Sequence, residues 1–146
     1  MHEIIPKKLW VGHAGDLLKP AAIELAEIKA IVQVALAEQM PSLSREMFLA
    51  HVPLMDGSGN SPGMIAAALE LTASLIRERV PTLVCCSGGM SRSPCITAGA
   101  LAIVRGSNPE ETLREVIRDR PHDVSPGIWQ GVLAHLQRRA SRTTGT

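Results

Sequence analysis

The sequence predicts one α/β domain, with a central, mostly parallel sheet, helices on both faces, and a glycine-rich loop between the last strand and the following helix. Three observations predict it. The 146 residues are the size of one ordinary domain, long enough to bury a sizeable core. Short β-branched apolar runs alternate with helix-period segments, and helices dominate the C-terminal end, which is the pattern of a sheet covered by crossover helices. No internal repeat, low-complexity tract or linker interrupts the chain. Residues 1–140 are therefore expected to form the domain and residues 141–146 a flexible C-terminal tail.

Residues 9–12, "LWVG", are expected to form a short strand. Residues 20–28, "PAAIELAEI", have helical spacing through Ile23 and Ala26 with Pro20 in the first turn. Residues 30–36, "AIVQVAL", are continuous and β-branched, which suits a strand buried on both faces. Residues 49–54 predict another strand, with Pro53 near its end or at an edge. "DGSGN" at 56–60 is turn chemistry. Ser61-Pro62 is an N-cap followed by Pro at the first helical position. That helix should run to about Arg79, with Ile65, Leu69, Thr72 and Ile76 on one face, and Pro81 should end it. Residues 82–85 are expected to be a short buried strand. Ser93-Pro94 repeats the cap pattern for a helix to about Arg105. Asn108-Pro109 begins a third helix with an acidic first turn that complements its dipole, ending near Arg118. Ser125-Pro126 begins a fourth, with Trp129, Val132 and Leu136 on one stripe.

Composition narrows the function. The net charge of +1 gives no broad electrostatic attraction to nucleic acid or anionic membrane, so any anion site must be local. Trp10, Phe48 and Trp129 are the only aromatic residues and Tyr is absent, which argues against a stacking platform for single-stranded nucleic acid. No run approaches a membrane span. Three cysteines, two of them adjacent, make a poor disulfide framework and point to a reducing compartment, most simply the cytoplasm.

The chemistry concentrates in residues 83–94, "LVCCSGGMSRSP". Five residues, Ser87, Gly88, Gly89, Met90 and Ser91, separate Cys86 from Arg92. A short loop between a strand and a helix can turn its backbone N–H groups inward as an anion nest. The glycines permit close approach to a ligand, and Arg92 adds a planar fork for two phosphate oxygens. The field that holds a phosphate also favours a thiolate, the nucleophilic form of cysteine. Counting forward to Arg92 selects Cys86 over Cys85, which is expected to be a core side chain, as is Cys95. His2, His13, His51, His122 and His135 show no paired ligand spacing, and no metal site is expected.

This segment resembles the phosphate-binding loop of the cysteine-dependent phosphatases, and its "SRSP" ending resembles the dual-specificity phosphatases of the protein tyrosine phosphatase superfamily. "LWVG" at 9–12 is similar to their first strand, "HVPLMD" at 51–56 to the strand leading to their general-acid loop, and "RDRP" at 118–121 to the region before their last helix. The resemblance implies a phosphomonoester hydrolase without metal or cofactor, working through a phosphocysteine. It implies Cys86 as nucleophile and Arg92 as phosphate clamp and transition-state stabiliser. Ser87, Gly88, Gly89, Met90 and Ser91 would supply loop amides. Ser93 would help the thiolate leave in the second step, and Asp56, on a mobile loop, would be general acid and then base. Asp16 is the weaker candidate for that acid, and His122-Asp123 is expected near the site. The resemblance departs at Cys85, where the family usually has His.

The implied substrate is a phosphorylated protein or a small phosphate ester. Phosphoinositides are disfavoured because "SGGMS" carries no basic residue, and the absence of Tyr suggests a shallow pocket. Two alternatives stand beside this reading: a non-catalytic phosphate-binding module, against which Cys86, Arg92 and Asp56 weigh together, and sulfur transfer on a rhodanese-like loop.

Overall fold

The computed structural model describes residues 1–38, 40 and 46–144. Within them five strands, β1 (His2–Ile5), β2 (Leu9–His13), β3 (Ala30–Gln33), β4 (Phe48–His51) and β5 (Thr82–Cys86), form one sheet in the order β1-β2-β5-β3-β4. β5 is central and pairs in parallel with β2 (Val11 opposite Val84) and with β3 (Val32 opposite Val84). β3 also runs parallel to β4. β1 pairs antiparallel with β2. "HEII" is short and half-exposed, so nothing in its sequence marks it as a strand until β2 offers an edge.

Five α-helices flank the sheet: α1 (Pro20–Leu25), α2 (Pro62–Arg77), α3 (Arg92–Arg105), α4 (Pro109–Ile117) and α5 (Pro126–Thr144). A 3-10 helix, Ala14–Leu18, follows β2. The expected caps close two of them. Ser61 Oγ accepts from the Met64 N–H at the start of α2, and Asn108 Oδ1 accepts from the Glu111 N–H at the start of α4. Ile65, Leu69 and Thr72 are buried along α2, and the Thr72 hydroxyl is satisfied by donating to Ala68 O at 2.7 Å.

Several boundaries differ from the sequence expectation. β4 is Phe48–His51 and stops short of Pro53, which has no N–H to give to a ladder, and α2 ends at Arg77, two residues early. α1 stops at Leu25 because the chain turns through Glu27 at φ 59°, a left-handed conformation that ends a helix. β3 ends at Gln33, where Val34 N–H turns to Cys85 O. α3 begins at Arg92 with Ser91 as N-cap, so Ser93 is not a cap and Pro94 falls third in the helix. Proline fits there because the first-turn N–H groups have no helical partner in any case. The tail expected from residue 141 is helical as far as Thr144, since no breaker precedes Gly145; residues 145–146 lie outside the described residues.

The two faces of the sheet are covered unequally. One carries the larger core, in which Val11, Val32, Val84 and Cys86 meet Leu69 of α2, Ile96 and Leu101 of α3, Val116 of α4, and Ile128 and Val132 of α5. The other carries a smaller cluster of Trp10, Leu17, Ile23, Ile28, Ile31, Leu83 and Cys85. Strand alternation sends Leu83 and Cys85 to the small face, Val84 and Cys86 to the large one. The carboxyl end of β5, between two parallel neighbours, is the crevice where open α/β sheets hold ligands.

Candidate active site

The site grows from that end of β5. Cys86, its last residue, is 2% exposed. The chain then loops through residues 87–91 and enters α3 at Arg92. The Gly89 N–H points at Cys86 Sγ (3.2 Å), and Ser93 Oγ lies 3.2 Å from the same sulfur. Ser93 Oγ also donates to Gly12 O at 3.2 Å. Gly89 has φ 72°, and a Cβ there would sit 2.9 Å from Gly12 O. Both the handedness of the backbone and the contact with β2 require glycine at this position.

The loop is clamped from outside. Ser87 O accepts from the Ala14 N–H and Met90 O from the Asp123 N–H. Gly89 O accepts from the Arg120 guanidinium, and Ser91 Oγ accepts from the Ser125 N–H at 2.9 Å. These partners come from the start of the 3-10 helix and from the connection between α4 and α5. With these carbonyls engaged outside the loop, the Gly89 N–H points inward at Cys86 Sγ.

Arg92 donates to Leu54 O at 2.9 Å and to Ser87 Oγ at 3.2 Å. The first bond ties the loop to the segment that carries Asp56. That segment is itself closed: Asn60 Oδ1 accepts from the Met55 N–H at 2.8 Å, and Asn60 Nδ2 donates to Met55 O and Gly57 O. It also seats against α5, where a Cβ on Gly127 would lie 2.3 Å from Ser58 N and 2.6 Å from Gly57 C. The loop expected to be mobile is therefore braced on both sides. Asp56, Cys86, Gly88, Met90, Ser91 and Arg92 line one cavity of about 100 Å³, together with Asp123.

Of the residues proposed from sequence, Cys86, Arg92, Asp56, Gly88, Met90 and Ser91 thus meet in one cavity, while Ser87, Gly89 and Ser93 support it from beneath. Asp123 reaches it as well; the exposed His122 turns its ring toward Arg120 O. Asp16 does not belong to it. It is 6% exposed and bonds through Oδ2 to the His13 N–H and through Oδ1 to the Met1 ammonium. Burial opposes its ionisation, but these bonds outweigh burial and hold the carboxyl below its usual range. Cys85 and Cys95 are 0% exposed, and burial first of all pushes both thiols well above the ordinary value.

Sequence reasoning missed Asn60, Gly127, Ser125 and Arg120. Arg120 is the most unusual of them. Its Nε and NH1 are buried without a hydrogen-bond partner. Burial lowers its pKa from the ordinary value, against the opposing pull of Cys86 and Asp16. The "RDRP" stretch was its only signal, and that stretch says nothing of a contact 31 residues away.

No protein-family model matches the chain, and no curated protein matches it. Solved structures do. Human DUSP28 superposes with a TM-score of 0.84 at 19% identity, over 97% of this chain and 99% of that one. The human tyrosine phosphatase-like serine/threonine/tyrosine-interacting protein gives 0.78 at 15% identity, over 96% and 97%. PTPMT1 gives 0.78 at 15% identity, over 99% of both chains. The chain has the fold of the dual-specificity phosphatases.

Proposed function

We propose that the chain is a cysteine-dependent phosphomonoester hydrolase of the dual-specificity type. The observation that carries this reading is the shared cavity, which a thiol, a guanidinium and two carboxylates line from segments far apart in sequence. Cys86 Sγ attacks phosphorus as the thiolate. Arg92 and the loop amides hold the non-bridging oxygens and the charge that builds on them. Asp56 protonates the departing oxygen, so the ester leaves as an alcohol and the phosphoryl group stays on sulfur. In the second step Asp56 takes a proton from water as that water attacks phosphorus, and the thiolate is expelled.

Ser93 suits a role in that expulsion. Its single hydroxyl proton has two acceptors within 3.2 Å, Gly12 O and Cys86 Sγ. With Cys86 protonated, the thiol donates to Ser93 and the serine to Gly12. With the thiolate, the serine proton turns to sulfur and stabilises the leaving group.

The cavity also speaks to substrate class. Its lining side chains include one cation, Arg92, and two carboxylates, Asp56 and Asp123. A second phosphate beside the reacting one would meet repulsion without compensation. This favours a phosphorylated protein or a small monoester over a polyphosphorylated lipid headgroup. No helix among the described residues is long and apolar enough to cross a membrane. Three free cysteines, one of them the nucleophile, suit a reducing compartment such as the cytoplasm.

The test is hydrolysis of an aryl phosphate. Wild type should turn it over and Cys86→Ser should not. No turnover by wild type anywhere from pH 5 to 8 would overturn the enzymatic reading. A second reading, a phosphate-binding module without turnover, is favoured by Cys85. It stands where the family usually has His, and its side chain faces the small apolar cluster on the far side of the sheet, where it lends the loop no polar support. Wild type that binds phosphate without hydrolysing the ester would establish that reading.

A further inference from the structure

We infer that Arg120 is a positioning residue of the phosphate loop: its guanidinium draws the Gly89 carbonyl outward and so turns the Met90 amide N–H onto the bound oxyanion. The inference rests on the reading of residues 86–92 as a phosphate site, but not on turnover.

The geometry runs through one peptide unit. Across a trans peptide the carbonyl and the following N–H point in opposite directions, and no cis bond occurs among the described residues. Gly89 O accepts from Arg120, so the Met90 N–H is directed away from Arg120. Met90 lines the cavity with Cys86 and Arg92. Gly89 sits at a left-handed φ of 72°, and because it lacks a Cβ the peptide that follows it has more than one sterically open orientation. The Arg120 bond is what selects one orientation of it. The next carbonyl, Met90 O, is fixed by the Asp123 N–H at 3.0 Å, a backbone donor that does not depend on side-chain identity.

Arg120 is also expensive where it stands. Two of its nitrogens, Nε and NH1, are buried without partners, and a buried cation left partly unsatisfied contributes little or nothing to stability. An apolar side chain of similar length would fold at least as well. The guanidinium acts on the loop through the bond it does make, to Gly89 O. Its charge lies close enough to act on Cys86, which adds a positive field behind the oxyanion site. Nothing in this role needs contact with substrate, and Arg120 is not among the residues lining the cavity.

Tungstate binding to wild type, Arg120→Met and Arg120→Lys, measured by calorimetry beside thermal melts, tests the inference. Arg120→Met should bind tungstate roughly 10- to 100-fold more weakly, the value of one hydrogen bond to a charged group, while melting at the same temperature or higher. Arg120→Lys, which can still donate to Gly89 O, should recover part of the affinity. With methionine amides labelled, the Met90 N–H resonance should shift on tungstate binding in wild type and stay in place in Arg120→Met. Wild-type affinity in Arg120→Met, or a tungstate-induced movement of its Met90 resonance as large as in wild type, would overturn the inference. So would weaker binding that merely follows a lower melting temperature without rescue by Lys. Wild type that binds tungstate but hydrolyses no ester would sink the enzymatic reading and leave this one standing; wild type that binds no tungstate would sink both.

Discussion

Cys85 and Cys86 are consecutive residues of one strand, yet they stand in opposite chemical worlds. Cys85 faces the small cluster of Trp10, Ile31 and Leu83. Cys86 opens at the strand end onto a loop amide, a serine hydroxyl and a cavity. Each has an aspartate in reach, and the pairs differ in the same sense. Asp16, whose charge acts on Cys85, is buried with its carboxylate held by His13 and Met1. Asp56, which shares the cavity with Cys86, is exposed. A locked carboxylate beside a sealed thiol serves structure; an open carboxylate beside a thiol at a cavity can exchange protons. The difference lies in which face the strand alternation presents.

The largest test of that contrast exchanges each sulfur for oxygen. Cys86→Ser should lower kcat by at least about 10⁴-fold, the scale for removing a nucleophile. Cys85→Ser should keep turnover but lose about 1–3 kcal/mol of stability, because its hydroxyl is left in an apolar cluster. Native wild type should take up one equivalent of iodoacetamide, and Cys86→Ser none. Loss of turnover in Cys85→Ser at unchanged stability would break the contrast.

Much of this site was legible in the sequence for a local reason. The roles proposed for Cys86, the glycines and Arg92 rest on their spacing, and spacing is written along the chain. The same holds for Ser61 and Asn108, whose caps close within three residues. Arg120, Ser125 and Gly127 act across 31 residues or more, through contacts that no local pattern encodes. Ser93 shows the middle case. Serine before proline signals a helix start, and a helix does start there, but two residues earlier. The shift turns a supposed cap into the hydroxyl beneath the sulfur.

The next test compares the two aspartates. Asp56→Asn should lower kcat by about 10²- to 10³-fold for esters with poor leaving groups, the range for general-acid catalysis, with little change in phosphate binding. Asp16→Asn should leave that chemistry intact. If Asp56→Asn is as active as wild type, the acid is Asp123, the other carboxylate lining the cavity.

A subtler break leaves every reacting group in place. In Gly127→Ala a methyl group would meet Ser58 N and Gly57 C of the Asp56 loop at 2.3 and 2.6 Å. These are backbone atoms, which cannot turn aside as a flexible side chain would, so the loop itself must move. Stability should fall by about 1–3 kcal/mol, as for overpacking. Turnover of poor leaving groups should fall by about 10-fold as Asp56 is displaced. Turnover of good leaving groups, which need no acid, should fall less. An equal loss for both would mean that the damage reaches Cys86 rather than Asp56.

The smallest expected effect belongs to the structural side. The Asp16 carboxyl is held below its ordinary value of 3.8, so the folded protein favours its charged form more than the unfolded chain does. The stability it contributes is fully present above about pH 3.8 and is lost as pH falls through the lower folded value. Wild type should therefore melt higher than Asp16→Asn at pH 5, and the gap should narrow steadily toward pH 2. A gap independent of pH would assign the effect to packing of the side chain near Gly12 rather than to its charge. The pH profile of turnover should be the same in both proteins, since Asp16 does not line the cavity. A shifted profile in Asp16→Asn would mean that the two faces of the sheet are electrically coupled through β2, and that the separation of structural from catalytic carboxylate is incomplete.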